Sequence, residues 1–182
     1  VPPYANPEFF PICMPQPAMV TKNDEDPVKL DRVKVKFPWQ DTSANEESCW
    51  IPVLSPYAGK GMGFRILPEI GDLVMVGFID NNAERPYIMG SFFNKKDQSG
   101  IKDENNDIKS FVTRGKGKIE WNDKEGTLNL EAKEIITIKV QNQPMSITID
   151  SKNKVIKIDS SENIEILTKG TMKLSALKDL SI

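Results

Sequence analysis

The side chains that could carry out catalysis are few in this sequence. Its 182 residues include no histidine and only two cysteines, Cys13 and Cys49. Ser-His-Asp and Cys-His nucleophilic catalysis, histidine acid–base catalysis and HExxH zinc sites are therefore excluded. Two cysteines form neither a disulfide framework nor a four-ligand zinc set, and we interpret Cys13 as an isolated surface thiol and Cys49 as a barrel residue. The composition favours a binding or structural protein.

Three segments imitate known binding motifs. AGKGMG at 58–63 is glycine-rich, but it lacks the GxxxxGK[ST] spacing and the strand–loop–helix order of a phosphate loop. NDEDP at 23–27 concentrates carboxylates without the spacing of a calcium loop. KGKIEWNDK at 116–124 combines lysines with a tryptophan, as single-strand binders do, but acidic residues lie beside them. We interpret all three as loops or turns, and we predict no catalytic residue, cofactor or metal site.

Charge and hydropathy narrow the class of protein further. There are 24 basic and 26 acidic residues, and the net charge of −2 argues against a nucleic-acid binder. No apolar run approaches the roughly 18 residues that a transmembrane helix needs. No basic start followed by an apolar stretch indicates a signal peptide.

Composition divides the chain into four segments. Seven of the 13 prolines lie within the first 27 residues, and proline cannot donate a backbone hydrogen bond. We therefore interpret 1–19 as a proline-rich arm or linker and exclude a helix or an inner strand there. Residues 20–94 are predicted to form a small barrel, 95–110 a charged linker, and 111–182 a β-repeat region.

The barrel segment alternates short β-type runs with turn signals. The runs are AMVT, RVKVKFPW, CWIPVL, DLVMVGFI and YIMGSFF. In the second run Val33, Val35 and Phe37 alternate with lysines, which predicts one buried and one exposed face. Such short, closely spaced strands indicate a small barrel or sandwich.

Four other residues of this segment have predicted structural roles. Trp39 and Trp50 are predicted to plug the barrel ends. Gly71 follows Pro-Glu-Ile and precedes a buried strand, where a tight turn needs a positive φ. Gly90, followed by serine, is predicted to mark a β-bulge or a close backbone approach.

An internal repeat fills the last segment. Apolar pairs two residues apart recur in steps of 8 to 11 residues, separated by polar connectors. The pairs are Leu128/Leu130, Ile136/Ile138, Ile147/Ile149, Ile156/Ile158, Ile164/Ile166 and Met172/Leu174.

Each repeat offers one apolar stripe, which needs a surface to cover it. Thr137, Thr148, Lys157 and Glu165 point the other way, and no aromatic residue follows Trp121 to build a second layer. Isolated β-ribbons are marginal in water. We expect three copies of the chain to wind around an axis with their stripes inward, which would also remove exposed strand edges. The alternative is an antiparallel sheet packed on the barrel segment.

The order of motifs resembles a known family. MVTKNDEDPVKLDRVKVKFPWQ is similar to the start of the OB-fold module of VgrG-type spike proteins of type VI secretion systems, which are related to contractile phage tail spikes. CWIPV, SPYAGKGMGF, LPEIGDLVMVGF and ERPYIMGSFFN follow in the same order over 19–94. RGKGKIEWNDKEG at 114–126 resembles the passage that leads into the β-helix of that family.

The resemblance implies an all-β protein, an OB-fold-like barrel followed by a trimeric, triple-stranded β-helix or prism. It implies a non-enzymatic spike that punctures membranes, assembled in the bacterial cytoplasm and then injected into a target cell. The implied partners are two further copies, a PAAR-like tip protein, Hcp-like tube and baseplate proteins, secreted effectors and, transiently, the target membrane, with no nucleic acid. Full-length members of that family carry N-terminal hub domains, so the resemblance implies a hub either ahead of Val1 or on another polypeptide, and it leaves room for a β-helix that continues past Ile182.

Alternative functions follow from the same segments. One is a spike or baseplate protein of a contractile phage tail. Another is an OB-fold module that binds nucleic acid or glycan and carries an oligomerising β tail, because OB-folds often bind such ligands. A glycan hydrolase has no room, because the charged linker is far too short for a domain with paired carboxylates.

Overall fold

The computed structural model describes residues 12–40, 46–141, 144–173, 175 and 176. The chain divides into two compact units, a first unit of residues 1–101 and a second unit of residues 102–182. Strands and turns make up both, which confirms the predicted all-β class. No helix in the described ranges has the length and apolar character to cross a bilayer.

The first unit is built on a four-stranded antiparallel sheet in the order β2-β1-β5-β6. A small hairpin, β3 and β4, lies between β2 and β5 in sequence, and a 3₁₀ turn at Ile79–Asn81 joins β5 to β6. The strands are β1 (Gln16–Lys22), β2 (Lys34–Lys36), β3 (Ala58–Gly59), β4 (Met62–Gly63), β5 (Leu73–Phe78) and β6 (Pro86–Ser91).

The extended segment Ile51–Leu54 hydrogen-bonds on the β2 side and on the β6 side, the two outer strands, and so closes this sheet. We call it the closing segment. On the β2 side, the amide of Val33 donates to the carbonyl of Ile51 at 2.9 Å, and the amide of Ile51 donates back at 2.7 Å. On the β6 side, the amide of Ile88 donates to the carbonyl of Pro52 at 2.8 Å, and the amide of Leu54 donates to Ile88 at 2.9 Å. Both edges of the sheet are thereby paired, so the first unit is a small closed barrel.

The barrel interior is filled by small and branched apolar side chains. The predicted alternation is confirmed on its apolar side, since Val33, Val35 and Phe37 are buried, whereas the lysines between them are half-buried rather than exposed. Each such side chain contributes roughly 1.5–3 kcal/mol when fully buried. The buried set is Ala18, Val20, Val33, Val35, Phe37, Ile51, Val74, Val76 and Ile88.

The glycine predictions are confirmed by the backbone. Gly71 has φ of 96°, and its amide donates to the carbonyl of Val20 at 2.9 Å, which fixes the turn into β5. The β5–β6 register shifts so that Val76 faces Ile88 and Met75 faces Gly90. The extra residue is a β-bulge beside Gly90, at the predicted place.

The two tryptophans do not plug the barrel, so that prediction is wrong. Trp39 is 69% exposed and stacks on Phe37 with ring centroids 5.3 Å apart. Trp50 is half-buried beneath the ammonium of Lys34, which lies 5.5 Å from the ring centroid. Because successive residues of a strand face opposite ways, burial of Ile51 directs Trp50 outward.

The first strand begins inside the segment predicted to be an arm. Strand β1 starts at Gln16 and contains Pro17, which pairs with Met75 of β5. Pairing with β2 starts only at Met19, so the chain has a neighbour on one side at Pro17. The missing amide therefore removes no ladder hydrogen bond, which is why the exclusion of an inner strand was wrong here. Residues 1–11 of the predicted arm lie outside the described residues.

The second unit contains two three-stranded antiparallel meanders, in the orders β7-β8-β9 and β10-β11-β12. Strand β7 begins at Ile108, within the predicted linker of residues 95–110. The first four predicted apolar pairs lie in β9 to β12, which confirms them as strands. The strands are β7 (Ile108–Val112), β8 (Lys118–Asn122), β9 (Thr127–Glu131), β10 (Ile135–Lys139), β11 (Ser146–Asp150) and β12 (Val155–Asp159).

The repeat does not continue as strands beyond β12. Ile164 and Ile166 lie in irregular backbone and are exposed, so the prediction of a strand there is wrong for this chain alone. Met172 is likewise exposed outside any strand, and Leu174 lies outside the described residues. A strand at this edge would pair on one side only and bury neither face, so nothing offsets the entropy of ordering it.

The carboxylate of Asp26 organises the long loop between β1 and β2. It accepts hydrogen bonds from the amides of Val28 at 3.1 Å and Leu30 at 2.8 Å. The guanidinium of Arg32 contacts both of its oxygens, at 3.0 and 2.6 Å. The Arg32 hydrogen bonds, supported by the backbone amides, hold the pKa of Asp26 well below its usual range.

Replacement of Ile88 by alanine is expected to destabilise the barrel by about 2–5 kcal/mol, because it opens a cavity beside the closing segment. Urea unfolding followed by tryptophan fluorescence would measure the loss. Met89→Ala is the matched control, since Met89 is the next residue and is exposed. Equal losses for the two variants would contradict the assigned core.

Replacement of Asp26 by asparagine is expected to lower the melting temperature at pH 7. A carboxylate whose pKa is depressed on folding stabilises the protein above its unfolded pKa of about 3.9, and this contribution is lost as the pH falls through the folded value. The gap between wild type and variant should therefore shrink when melting is repeated at progressively lower pH below about 4. Asp24→Asn, at an exposed neighbouring position, should show no such gap.

Candidate oligomerisation surface

The glycine-rich segment that imitates a phosphate loop is a hairpin. Gly59 pairs with Met62, and the two residues between them form the turn, with Gly61 at φ of 72°. No helix follows it, so the strand–loop–helix arrangement of a nucleotide site is absent from this described segment. The loop predicted there is more ordered than expected, because the hydroxyl of Ser55 donates to the carbonyls of Tyr57 and Phe64 at its base.

The acidic and basic clusters are engaged in local contacts. Glu25 forms an ion pair with Lys22 at 2.8 Å, and Asp26 is held by Arg32. Across the described ranges, no group of three potential ligand side chains could hold a metal ion.

The basic–aromatic segment does not form a groove. The ammonium of Lys118 contacts Glu131 at 2.9 Å and Glu120 at 3.3 Å, and the hydrogen bond that it donates to Glu131 is the main reason that the pKa of Lys118 is raised. Trp121 is an odd number of residues away on the same strand, so it faces the other side of the sheet. The lysine and the tryptophan therefore do not combine into one single-strand binding surface.

The two cysteines are free thiols. Cys13 is half-buried, and Cys49 is exposed. This reverses the predicted assignment of Cys13 to the surface and Cys49 to the barrel. Cys49 lies two residues before the inward-facing Ile51, but it stands in irregular backbone ahead of the bridge at Ile51, where strand alternation does not direct it into the core.

Six isoleucines form one face of the β10–β12 sheet. The register places Ile136, Ile149 and Ile156 in one cross-strand row. A second row, two residues along each strand, contains Ile138, Ile147 and Ile158. Residues two apart share a face of a sheet, so both rows point the same way. The strands thus convert three of the predicted pairs into one continuous apolar surface.

This isoleucine face is open to solvent in the single chain. Exposure ranges from 43% for Ile147 to 73% for Ile156, and Ile136 is half-buried. Among the described residues of the second unit, no apolar side chain is buried, and Asp150 alone is classed as buried. The opposite face carries threonine, lysine, serine and aspartate beside Ile135 and Val155. One face therefore lacks a cover and the other is largely polar.

The β7–β9 sheet has the same one-sided character. Phe111, Ile119 and Leu130 form one cross-strand row, and Trp121 and Leu128 lie beside them on the same face. All five are more than a third exposed. The predicted repeat begins at Leu128 and omits Phe111, Ile119 and Trp121, although Ile119 and Trp121 show the same two-residue spacing.

Local turns hold these strands in register. In the β11–β12 turn, Asp150 accepts hydrogen bonds from the amide of Asn153 at 2.9 Å and from its side chain at 2.8 Å. The backbone bond is the main cause that lowers the pKa of Asp150. In the β8–β9 turn, the side-chain oxygen of Asn122 accepts a hydrogen bond from the amide of Glu125 at 3.0 Å. A slip of one residue would move the isoleucines to the other face, so these turns protect the apolar surface.

The exposed isoleucine face can bind another apolar surface, but isoleucine side chains cannot take part in catalysis. Exposed contiguous apolar surfaces of this kind mark places where another protein surface docks. Burial of each isoleucine contributes roughly 1.5–3 kcal/mol, which together can drive association. The second unit therefore presents an apolar surface on which another protein surface could dock.

Comparison with known proteins agrees with this architecture. Residues 16–93 match the family model of the type VI secretion system/phage-baseplate injector OB domain. The spike protein VgrG1b of type VI secretion in Pseudomonas aeruginosa is 32% identical over 146 residues, 70% of this chain and 19% of that protein. VgrG1a of the same organism is 39% identical over 85 residues, 44% of this chain and 13% of that protein.

A relative from a second organism matches a shorter stretch of the chain. The type VI secretion system spike protein VgrG3 of Vibrio cholerae is 39% identical over 61 residues, 32% of this chain and 6% of that protein. The chain thus spans less than a fifth of the length of these curated relatives. The resemblance to VgrG-type spike proteins is confirmed, and over residues 16–93 this chain is similar to the injector OB domain of type VI secretion systems and phage baseplates.

Proposed function

We propose that this chain is a structural part of the trimeric spike of a type VI secretion apparatus. The isoleucine face is the main observation behind this proposal, because an exposed apolar face of this size needs a partner surface. The match of the first unit to an injector OB domain indicates which kind of assembly would provide that partner. The curated relatives are named spike proteins, which favours this function over a nucleic-acid or glycan module. The spike acts mechanically, without a catalytic site.

Strand length supports three copies rather than more. Strands of five residues span about 17 Å. Three such sheets, set as the faces of a triangular prism, each lie about 5 Å from the central axis, half of the ~10 Å at which sheets pack face to face. Four sheets would leave a gap too wide for isoleucine side chains to fill. Three copies therefore bury the isoleucine faces at normal packing distance.

A closed prism suits the transmission of force. Its backbone hydrogen bonds run within each sheet, its apolar side chains meet at the axis, and its polar faces remain in water. Axial load then has to disrupt many contacts at once. In this proposal the spike is assembled in the bacterial cytoplasm on baseplate and Hcp-like tube proteins, carries a PAAR-like tip protein and effectors, and punctures the target membrane on its way into the target cell.

The oligomeric mass tests the proposed function. Sedimentation equilibrium of the full chain is expected to give three times the 20.5 kDa chain mass. Ile147→Asp combined with Ile156→Asp should give a monomer, because the face would then bury uncompensated charges.

The control for this test lies on the same strand. Thr148 neighbours Ile147, faces the other way and lies opposite Lys157. Thr148→Asp should therefore leave the trimer intact. A folded monomer for the wild type, or a trimer for the isoleucine variant, would contradict the proposed spike.

A further inference from the structure

An apolar groove of the first unit lies between the β3–β4 hairpin and the loop that joins β1 to β2. Its volume is about 530 Å³. The nine described side chains of the barrel core lie elsewhere, so the groove is not needed to complete that core. Five of its lining side chains keep more than half of their surface in water: Leu30, Leu54, Tyr57, Met62 and Phe64.

The hairpin wall of the groove is held in one conformation. The amide of Phe64 donates to the carbonyl of Tyr57 at 2.8 Å, and the hydroxyl of Ser55 donates to both carbonyls at the base of the hairpin. The hydroxyl of Tyr57 also donates to the sulfur of Met62 at 2.9 Å. These side chains are therefore ordered before any partner arrives, which lowers the entropy cost of binding.

The opposite wall holds Leu30 in a strained loop. Lys29 and Asp31, on either side of it, have φ of 54° and 55°, a left-handed conformation that is costly for residues other than glycine. The carboxylate of Asp26 accepts a hydrogen bond from the Leu30 amide at 2.8 Å, and the guanidinium of Arg65 holds Asp31 at 2.6 Å. The loop thus keeps an exposed leucine at the groove, and such strain is typical of recognition sites.

The rim of the groove is basic. Segments 28–31 and 53–67, which contain its lining residues, carry three cations and one carboxylate, although the whole chain has a net charge of −2. The carboxylate, Asp31, is already paired with Arg65. Lys29 beside Leu30 and Lys60 at the hairpin tip are exposed, and neither forms an ion pair within the described ranges.

We propose that this groove binds an extended, acidic segment of another protein, with apolar side chains in the groove and carboxylates beside Lys29 and Lys60. Contiguous exposed apolar surface favours a protein partner, and the unpaired lysines select an acidic one. A small molecule would need walls that enclose most of its surface, whereas these walls are open. The inference goes beyond the proposed function, because it concerns the first unit, whose core is complete within one chain.

Selection of displayed peptides against the full chain tests the chemistry of the partner. A library of short random peptides is expected to yield sequences that combine aspartate or glutamate with leucine, phenylalanine or other large apolar residues. The same selection against the variant Lys29→Glu with Lys60→Glu should lose these sequences. Basic or purely polar sequences, or the same sequences from both selections, would overturn the proposal.

Fluorescence anisotropy with a labelled acidic peptide from that selection tests the rim. Lys29→Glu with Lys60→Glu is expected to weaken binding by about tenfold or more in low salt, because like charges then meet. The control, Lys95→Glu with Lys96→Glu, makes the same charge change at exposed lysines that do not line the groove, and binding should be unchanged. Equal affinities for the two variants would contradict the rim contact.

The same titration tests the apolar wall. Leu30→Ala is expected to weaken binding by about fivefold or more, because less apolar surface is buried in the complex. Val28→Ala is the matched control, since Val28 is exposed in the same loop but does not line the groove. Thermal melting of both variants verifies that the barrel is folded. Wild-type affinity in folded Leu30→Ala would place the peptide elsewhere and overturn the proposal.

Sedimentation equilibrium tests whether a copy of this chain fills the groove instead. The variant Lys29→Glu with Lys60→Glu is expected to have the same mass as the wild type. A lower mass would assign the groove to a contact between copies and overturn the proposed partner. A monomeric wild type that still binds the acidic peptide would overturn the proposed function and leave the groove proposal standing.

Discussion

An apolar sheet face without a cover is the constraint on which the second unit depends. Six isoleucines lie in two cross-strand rows on one side of β10–β12, and all six retain contact with solvent. The meanders have short turns and no second layer among the described residues of that unit. Local turns can fix their register, but only another surface can bury their apolar side. Exposed faces contribute little of the free energy that ordering the strands requires, so a surface that covers them would add most to the stability of this unit.

The barrel solves the same problem within one chain. Its sheet is closed by the extended segment around Ile51, which hydrogen-bonds to β2 on one side and to β6 on the other. Closure buries nine apolar side chains without help from a partner. The two units differ in their strands: those of the barrel range from two to seven residues, whereas all six strands of the second unit are five residues long.

The sequence predicts most of the strands and the apolar pairs, because period-two patterning and turn residues are local signals. Burial of Val35 and the turn at Gly71 follow from such signals. The exposed positions of Trp39 and Trp50 do not, because residue size says nothing about which face of a strand a side chain takes. The strand at Pro17 was not predicted, because a proline is tolerated in a strand only where no neighbour needs its amide. That depends on where pairing with β2 begins, which local sequence does not show.

The isoleucine face sets what a partner surface must provide. It gains free energy against any apolar surface of matching size, so by itself it does not distinguish one partner from another. The opposite side of the sheet carries Thr148 and Lys157, whose polar groups would lose hydration if that side were covered. A partner can therefore cover this sheet on one side only, and the register that places all six isoleucines there decides which side it is.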